Sequence, residues 1–426
     1  ALYQRYVYGR LGPVERAWRH EAVATALEDL YRGSEDEIAV QLAHHFREAG
    51  IVDKAVHYLA HAGAHAVRLS ANHEAIQHYR QALDLLATLP KTSRHAETEL
   101  QLLVGLTTPL VSEKGYGATE VVKCCARAWE LCQQLGEPPQ IMPVMWWLAT
   151  YYAGCAQHET AISVVEELMD VAEESGDPFL VAVVHWARGW HGLFLGHFAV
   201  AKDSLEHMVS AYDPAVHGSA AYVYGQDPGI ASRAMLGPTL WALGYPDRAQ
   251  QRIDEALHLA HDMAIPPFQA LALTYAAWMC GWRRDFAVQA EIAESCIRVS
   301  TEHHLPYWHT IGIHMRGWAQ VGSGQYAAGI DALLEAMAGY REIGMITGLS
   351  QQYTVLGEAY LNAGQVDQAR HTLAEILAQV DANGEHNSTA EIHRLLGEVA
   401  LAEGRSCDCV ERIAQEAAET EAERQF

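Results

Sequence analysis

One spacing recurs through most of this 426-residue chain and leaves it few folds to adopt. Gly244, Gly324, Gly364 and Gly404 lie at multiples of 40 from one another, Arg284 fills the vacant place, and the same step links Ala156 to Gly196. Seven residues before each anchor stands a small residue: Ala149, Gly189, Gly237, Ala277, Gly317, Gly357 and Gly397. Five after it come Ala161, Ala201, Ala249, Gln289, Gly329, Ala369 and Cys409, and four further on Val165, Leu205, Ile253, Ala293, Leu333, Leu373 and Ile413. A register kept through seven copies is the signature of a repeat array, in which each unit buries its apolar face against the next.

The spacing has a mechanical meaning. A small residue, a second one twelve later and an aliphatic sixteen later describe two antiparallel helices that cross closely, with the anchor at the left-handed turn between them. Prolines mark the other boundary, because proline is tolerated at a helix start and not deeper. Pro138 and Pro178 are 40 apart, as are Pro266 and Pro306, while Pro178 to Pro266 spans two periods plus eight. Gly196 to Gly244 carries the same excess of eight, so both signals place one insertion near 212–229. Asp213-Pro214 and Asp227-Pro228 stop helices there, and an inserted extended loop is expected. In the less regular N-terminal third, helices are expected near 37–49, 54–69, 72–88, 94–112 and 118–135. No strand pattern occurs.

Leu356-Gly357, Tyr360, Ala369 and Leu373 resemble the tetratricopeptide repeat, lengthened from its usual period to 40 residues. The expected fold is all-α, a right-handed α-solenoid of tetratricopeptide-like helix pairs. A wider resemblance rests on Ala1-Leu2-Tyr3-Gln4-Arg5 through Leu30-Tyr31, Glu37-Ile38-Ala39, Leu42-Ala43-His44-His45-Phe46, Tyr224 to Gly229, Leu243 to Ala249, and Glu391 to Glu398. Together these strings are similar to the C-terminal repeat region of bacterial proteins that join an effector, often a class III nucleotide cyclase or a transcriptional regulator, to a STAND-type ATPase. That resemblance implies a helical exit from an upstream winged-helix or ATPase region at 1–35, irregular repeats at 36–136 and regular repeats at 137–404; past Gly404 the chain departs from the pattern, and a C-terminal truncated or capping helix is expected at 405–426. It also implies a cytoplasmic sensor whose partners include the ATPase and effector domains of its own polypeptide.

If the first helix of each pair lines the inner face, register places Trp146, Trp186, Trp190, Trp241, Trp278, His314 and Trp318 there. Aromatic-lined concavities suit a protein, peptide or small apolar ligand. The other reading is a constitutive oligomerisation scaffold whose axis these rings fill, with most space expected near Trp278, Trp318 and His314, where Gly281 leaves room. Arg188 and Arg316 fall just before the small residue, where the pattern calls for Leu, and Arg233 lies on the helix of Pro238; buried ion pairs are expected, with Asp227 of the insertion a candidate partner.

Charge and motifs narrow the function. The balance of 29 Lys and Arg against 53 Asp and Glu opposes direct nucleic-acid binding, which needs clustered cations. Eight scattered Cys do not form a secreted disulfide framework. No apolar run reaches membrane-span length and no signal pattern opens the chain, whose ends fall within amphipathic and acidic segments, as in a fragment of a longer protein. Phosphate-loop, Gly-x-Ser-x-Gly, His-Glu-x-x-His and Cys-x-x-Cys motifs are absent, so no enzyme and no cofactor are expected. His57, His61 and His65 share one helix face at a spacing that could chelate zinc or nickel, which makes a metal-dependent protein the least favoured alternative. With no Cys or carboxylate completing the set by spacing, no metal is expected.

Overall fold

The computed structural model describes residues 8, 10–115, 117–136 and 140–404. The Ala1–Arg5 string, Pro138, Cys407, Cys409, Ile413 and the helix expected at 405–426 lie outside them. The described residues form α-helices with short 3-10 turns and no strand. An α-solenoid built from helix pairs is the result. The chain divides into two compact units. One comprises Ala1–Tyr151, Ser163–Leu180 and Asp213–Asp227; the other comprises Tyr152–Ile162, Val181–Tyr212 and Pro228–Phe426.

In the second unit the register works by steric fit. A Cβ on Gly189 would lie 2.5 Å from Leu205, one on Gly237 2.5 Å from Ile253, and one on Gly357 2.6 Å from Leu373. Each glycine therefore admits a branched side chain from the partner helix, and apolar burial at that crossing holds the pair. Where the small residue is Ala277 instead of glycine, the partner shrinks to Ala293. Six of the seven turn anchors are left-handed as expected, including the two that are not glycine: φ is 76° at Gly196 and 82° at Gly244, but also 55° at Ala156 and 61° at Arg284; the seventh, Gly404, is helical.

A second left-handed series closes the second helix of each pair. It runs Gly136, Gly176, Ala264, His304, Gly344 and Gly384, again in steps of 40 with one step of 88. The prolines follow it, so the Pro178–Phe194, Pro266–Trp282 and Pro306–Gly322 helices each begin on the residue whose missing N–H costs nothing.

The first unit uses the same device with a different period. Its helices run Pro13–Leu30, Ala39–Glu48, Val52–Arg68, Asn72–Leu86, Ser93–Lys114, Thr119–Leu135 and Ile141–Gly154, the last ending in the other unit. Tyr79 is buried between two glycines, and a Cβ on Gly63 or Gly105 would meet its ring at 2.8 Å or its hydroxyl at 2.6 Å.

The insertion is broken at both prolines but is not extended. It coils into three short turns, Pro214–His217, Gly218–Ala220 and Ala221–Tyr224. The expectation of an extended loop is corrected: Asp213 caps the first turn by accepting from Ala215 N at 2.9 Å, and Gly225 ends the last at φ 75°. Among the described residues no helix is long and apolar enough to cross a membrane.

Candidate functional site

Trp146 belongs to the first unit, and its role there is to hold the insertion. Its indole N–H donates to Tyr224 O at 3.3 Å, and that of Trp147 donates to Val223 O at 3.1 Å. Thr108 Oγ1 donates to Tyr222 O at 3.2 Å. Gly225 is required beside them, since a Cβ there would lie 2.6 Å from the Trp147 ring.

In the second unit, Trp186, Trp278 and Trp318 are buried, while Trp190 and Trp241 are half-buried. A line of aromatic contacts runs from Trp190 to Phe194 with centroids 6.0 Å apart, on to Trp278 at 5.8 Å, and from there to Tyr275 and Trp282 at 5.6 and 5.5 Å. His314 lies parallel to Trp318 at 6.5 Å. The space expected at Gly281 is taken: the Trp318 ring sits 2.6 Å from where its Cβ would be. Burial pushes the His314 imidazole down to about 4, so it is neutral near pH 7. Trp278 Nε1, His314 Nε2 and Gln351 Nε2 are buried without a hydrogen-bond partner among the described residues.

For two of the three arginines expected to form buried pairs, the pairs lie at the margin of this packing. Arg233 lies 3.7 Å from Glu255 and donates to Gly229 O at 2.9 Å, and Arg316 lies 3.8 Å from Glu294. Both are partly exposed, so they contribute less than buried pairs would.

The first unit holds a different kind of surface. Between the Val52–Arg68 helix, the 86–92 connection and the start of the Ser93–Lys114 helix lies an open groove of about 820 Å³. Its lining mixes Val56, Ala60, Ala64, Leu86 and Leu102 with His57, His61, Arg68, Arg94, His95 and Gln101. The His57 and His61 rings are 4.4 Å apart. His61 Nδ1 is 2.8 Å from Asp36, which also accepts from Arg68 at 2.6 Å. The bond from His61 does most to hold the Asp36 carboxyl below its usual range; desolvation opposes it, and Arg68 adds a smaller lowering. Burial and the charge of His61 lower the His57 imidazole. Arg94 has no ion-pair partner among the described residues. Thr92 caps the helix that carries it, accepting from His95 N at 3.2 Å.

The His spacing pointed to this surface. His61 is taken by Asp36, His65 leans on Arg68 at 3.4 Å outside the groove lining, and no group of three or more His, Cys, Asp or Glu converges on a metal position among the described residues. Asp36, Arg68, Arg94, His95 and Gln101 carried no sequence signal, because the groove draws them from separate segments.

No known protein-family model matches the chain. It is similar to an uncharacterized protein of Rhizobium meliloti (strain 1021), 23% identical over 428 residues; the match takes in 99% of this chain and 41% of that protein. The chain thus spans about two-fifths of its relative's length. Among solved structures, the Rap protein complexed with competence and sporulation factor has a TM-score of 0.53 at 11% identity, covering 81% of this chain and 97% of that one. The human IFIT1 dimer with PPP-AAAA has a TM-score of 0.42 at 14% identity, covering 95% and 87%. The likeness to the Rap protein shows the fold, a tetratricopeptide-like array.

Proposed function

We propose that this chain is a non-catalytic sensor or protein-interaction module that regulates a STAND-type ATPase and effector attached to it in bacterial signal transduction. The observation that carries the reading is the open groove of the first unit. Its volume suits a ligand or a short peptide, its lining mixes apolar and polar side chains, and Arg94 stands there with no ion-pair partner among the described residues. The Rap protein, which shares the fold, is complexed with competence and sporulation factor. A partner that binds one shape of an array better than another shifts its equilibrium, and only that differential affinity can be passed to an attached domain.

The Trp positions have a part in this reading. Trp190 and Trp241 are the ones a protein, peptide or apolar ligand reaches on the inner face as it stands; Trp186, Trp278, His314 and Trp318 become available when that face opens, and Trp146 when the insertion lifts. The constitutive-scaffold reading draws its support from the burial of Trp186, Trp278 and Trp318.

The test uses the natural full-length polypeptide. Its nucleotide hydrolysis should change several-fold when Arg94→Glu and His57→Glu are introduced together, with folding checked by circular dichroism. Unchanged hydrolysis in a folded variant would favour the scaffold.

A further inference from the structure

The second unit closes on itself through a seam unlike its other interfaces. Ile346 N and Thr347 N donate to Gly154 O at 2.8 and 3.3 Å, and Thr347 Oγ1 donates to Ala153 O. His158 Nε2 lies 3.1 Å from Glu385 Oε1, and the same carboxylate accepts from Gly348 N at 3.1 Å. Ser350 Oγ donates to Asn387 Oδ1 at 3.2 Å. The contacts of Ile346, Thr347 and His158 join the end of one repeat to segments about 190 to 230 residues later, while those of Gly348 and Ser350 tie two of the later segments together across 37 residues.

Three properties set the seam apart. It is a backbone contact, crossed at glycines: a Cβ on Gly196 would lie 3.2 Å from His386 C, and Gly348 and Gly384 are left-handed. Apolar side chains approach it at Leu195, 3.3 Å from the position of a Gly384 Cβ, and at Phe194, but the hydrogen bonds across it run through backbone and polar groups, unlike the Gly–Leu and Gly–Ile crossings inside each helix pair. It also buries a carboxylate, Glu385 at 1% exposure, against a single histidine. Finally, its polar groups are incompletely paired. His191, 6.0 Å from His158 and 4% exposed, has neither ring nitrogen hydrogen-bonded among the described residues, and His158 Nδ1 and Asn387 Nδ2 are likewise without partners. Buried polar groups left unpaired favour any state in which water can reach them. An interface of this kind opens before the apolar crossings do.

The seam and the aromatic line meet at one residue. Phe194 contacts Trp278 on one side, and its ring is 3.5 Å from the position of a Gly348 Cβ on the other. Separating 346–348 from 153–158 therefore takes a neighbour off Phe194, the middle ring of the Trp190–Phe194–Trp278 line.

We propose that the contacts of His158 and Glu385 with each other and with Gly348 form a releasable latch, and that its opening, short of unfolding, exposes the aromatic inner face. The latch stands on geometry alone; that the exposed face then receives a partner rests on the function proposed above. The test reads opening itself, so it can fail while that function stands, and the reverse.

Hydrogen exchange on the full chain measures it. Amides of Ile346, Thr347 and Gly348 should exchange at least tenfold faster than those in the middle of the Pro266–Trp282 helix, with a weaker dependence on denaturant. Glu385→Gln should accelerate them about tenfold more and raise oxidative footprinting of Trp190 and Trp278, leaving exchange in the Pro266–Trp282 helix unchanged. If the variant does not fold, the wild-type comparison decides alone. Seam amides that exchange only with global unfolding would overturn the latch.

Discussion

The two units apply one packing rule and reach opposite surfaces. In both, a glycine on one helix admits a bulky side chain from its neighbour: Gly63 and Gly105 admit Tyr79 in the first, Gly189 admits Leu205 in the second. They differ in what the groove-side face carries. Small and polar residues, Ala60, Ala64, His57 and His61, leave the first unit with an open groove of about 820 Å³. Trp186, Trp278 and Trp318 are buried in the second. Side-chain volume on one helix face, not the repeat geometry, separates a solvated groove from a packed core.

That contrast breaks most directly by truncation. Trp278→Ala should cost ~3–5 kcal/mol, as emptying a packed aromatic site does. His57→Ala, on the groove, should stay within ~0.5 kcal/mol. Thermal melts of the two variants side by side measure this, and equal losses would mean that the groove is as packed as the axis.

Acid sharpens it further. Burial lowers the folded-state pKa of His314 to about 4, below its ordinary value of 6.5. Between these values the unfolded chain binds the proton and the folded chain does not, so stability present above pH 6.5 drains away as pH falls toward 4. The shift corresponds to roughly 3 kcal/mol, an upper figure for a single buried imidazole. His314→Phe should flatten the pH dependence of the melting temperature in that window. His191, lowered by burial to about 3, keeps part of the slope. A variant as acid-sensitive as the wild type would place the effect elsewhere.

The crossing rule is tested by Gly357→Ala, whose new methyl would meet Leu373 at 2.6 Å and should cost ~1–3 kcal/mol by overpacking. Leu373→Ala in the same chain should recover part of it by recreating the Ala277 and Ala293 pairing. Chemical denaturation of the single and double variants gives the coupling, and additive losses would refute the fit. The smallest effect concerns Ala264, held at φ 53°. Ala264→Gly should gain ~1 kcal/mol by relieving the left-handed strain, read as a small rise in denaturation midpoint.

Much of the fold was legible because it is local. Gly189 and Leu205 are 16 residues apart and meet wherever two helices join at a tight turn, so their spacing alone implies the pair. The second left-handed series was equally present in Gly136, Gly176, Gly344 and Gly384, but Ala264 and His304 interrupt it and the prolines beside it draw attention first. The insertion shows a limit of local reasoning. Its prolines dictate where helices stop, whereas the indoles of Trp146 and Trp147, some 75 residues earlier, take up the carbonyls that let it coil.

The sequence by itself determined the helices, their left-handed joints and which residues share a face, because each depends on φ preferences and spacings within about 20 residues. Tertiary structure alone decided which faces stay open. The groove gathers Asp36, Arg68 and Arg94 from separate helices and turns. The seam brings His158 to Glu385 across 227 positions, and no periodicity encodes that meeting. It follows from the summed curvature of the pairs between them, to which every crossing contributes a small rotation.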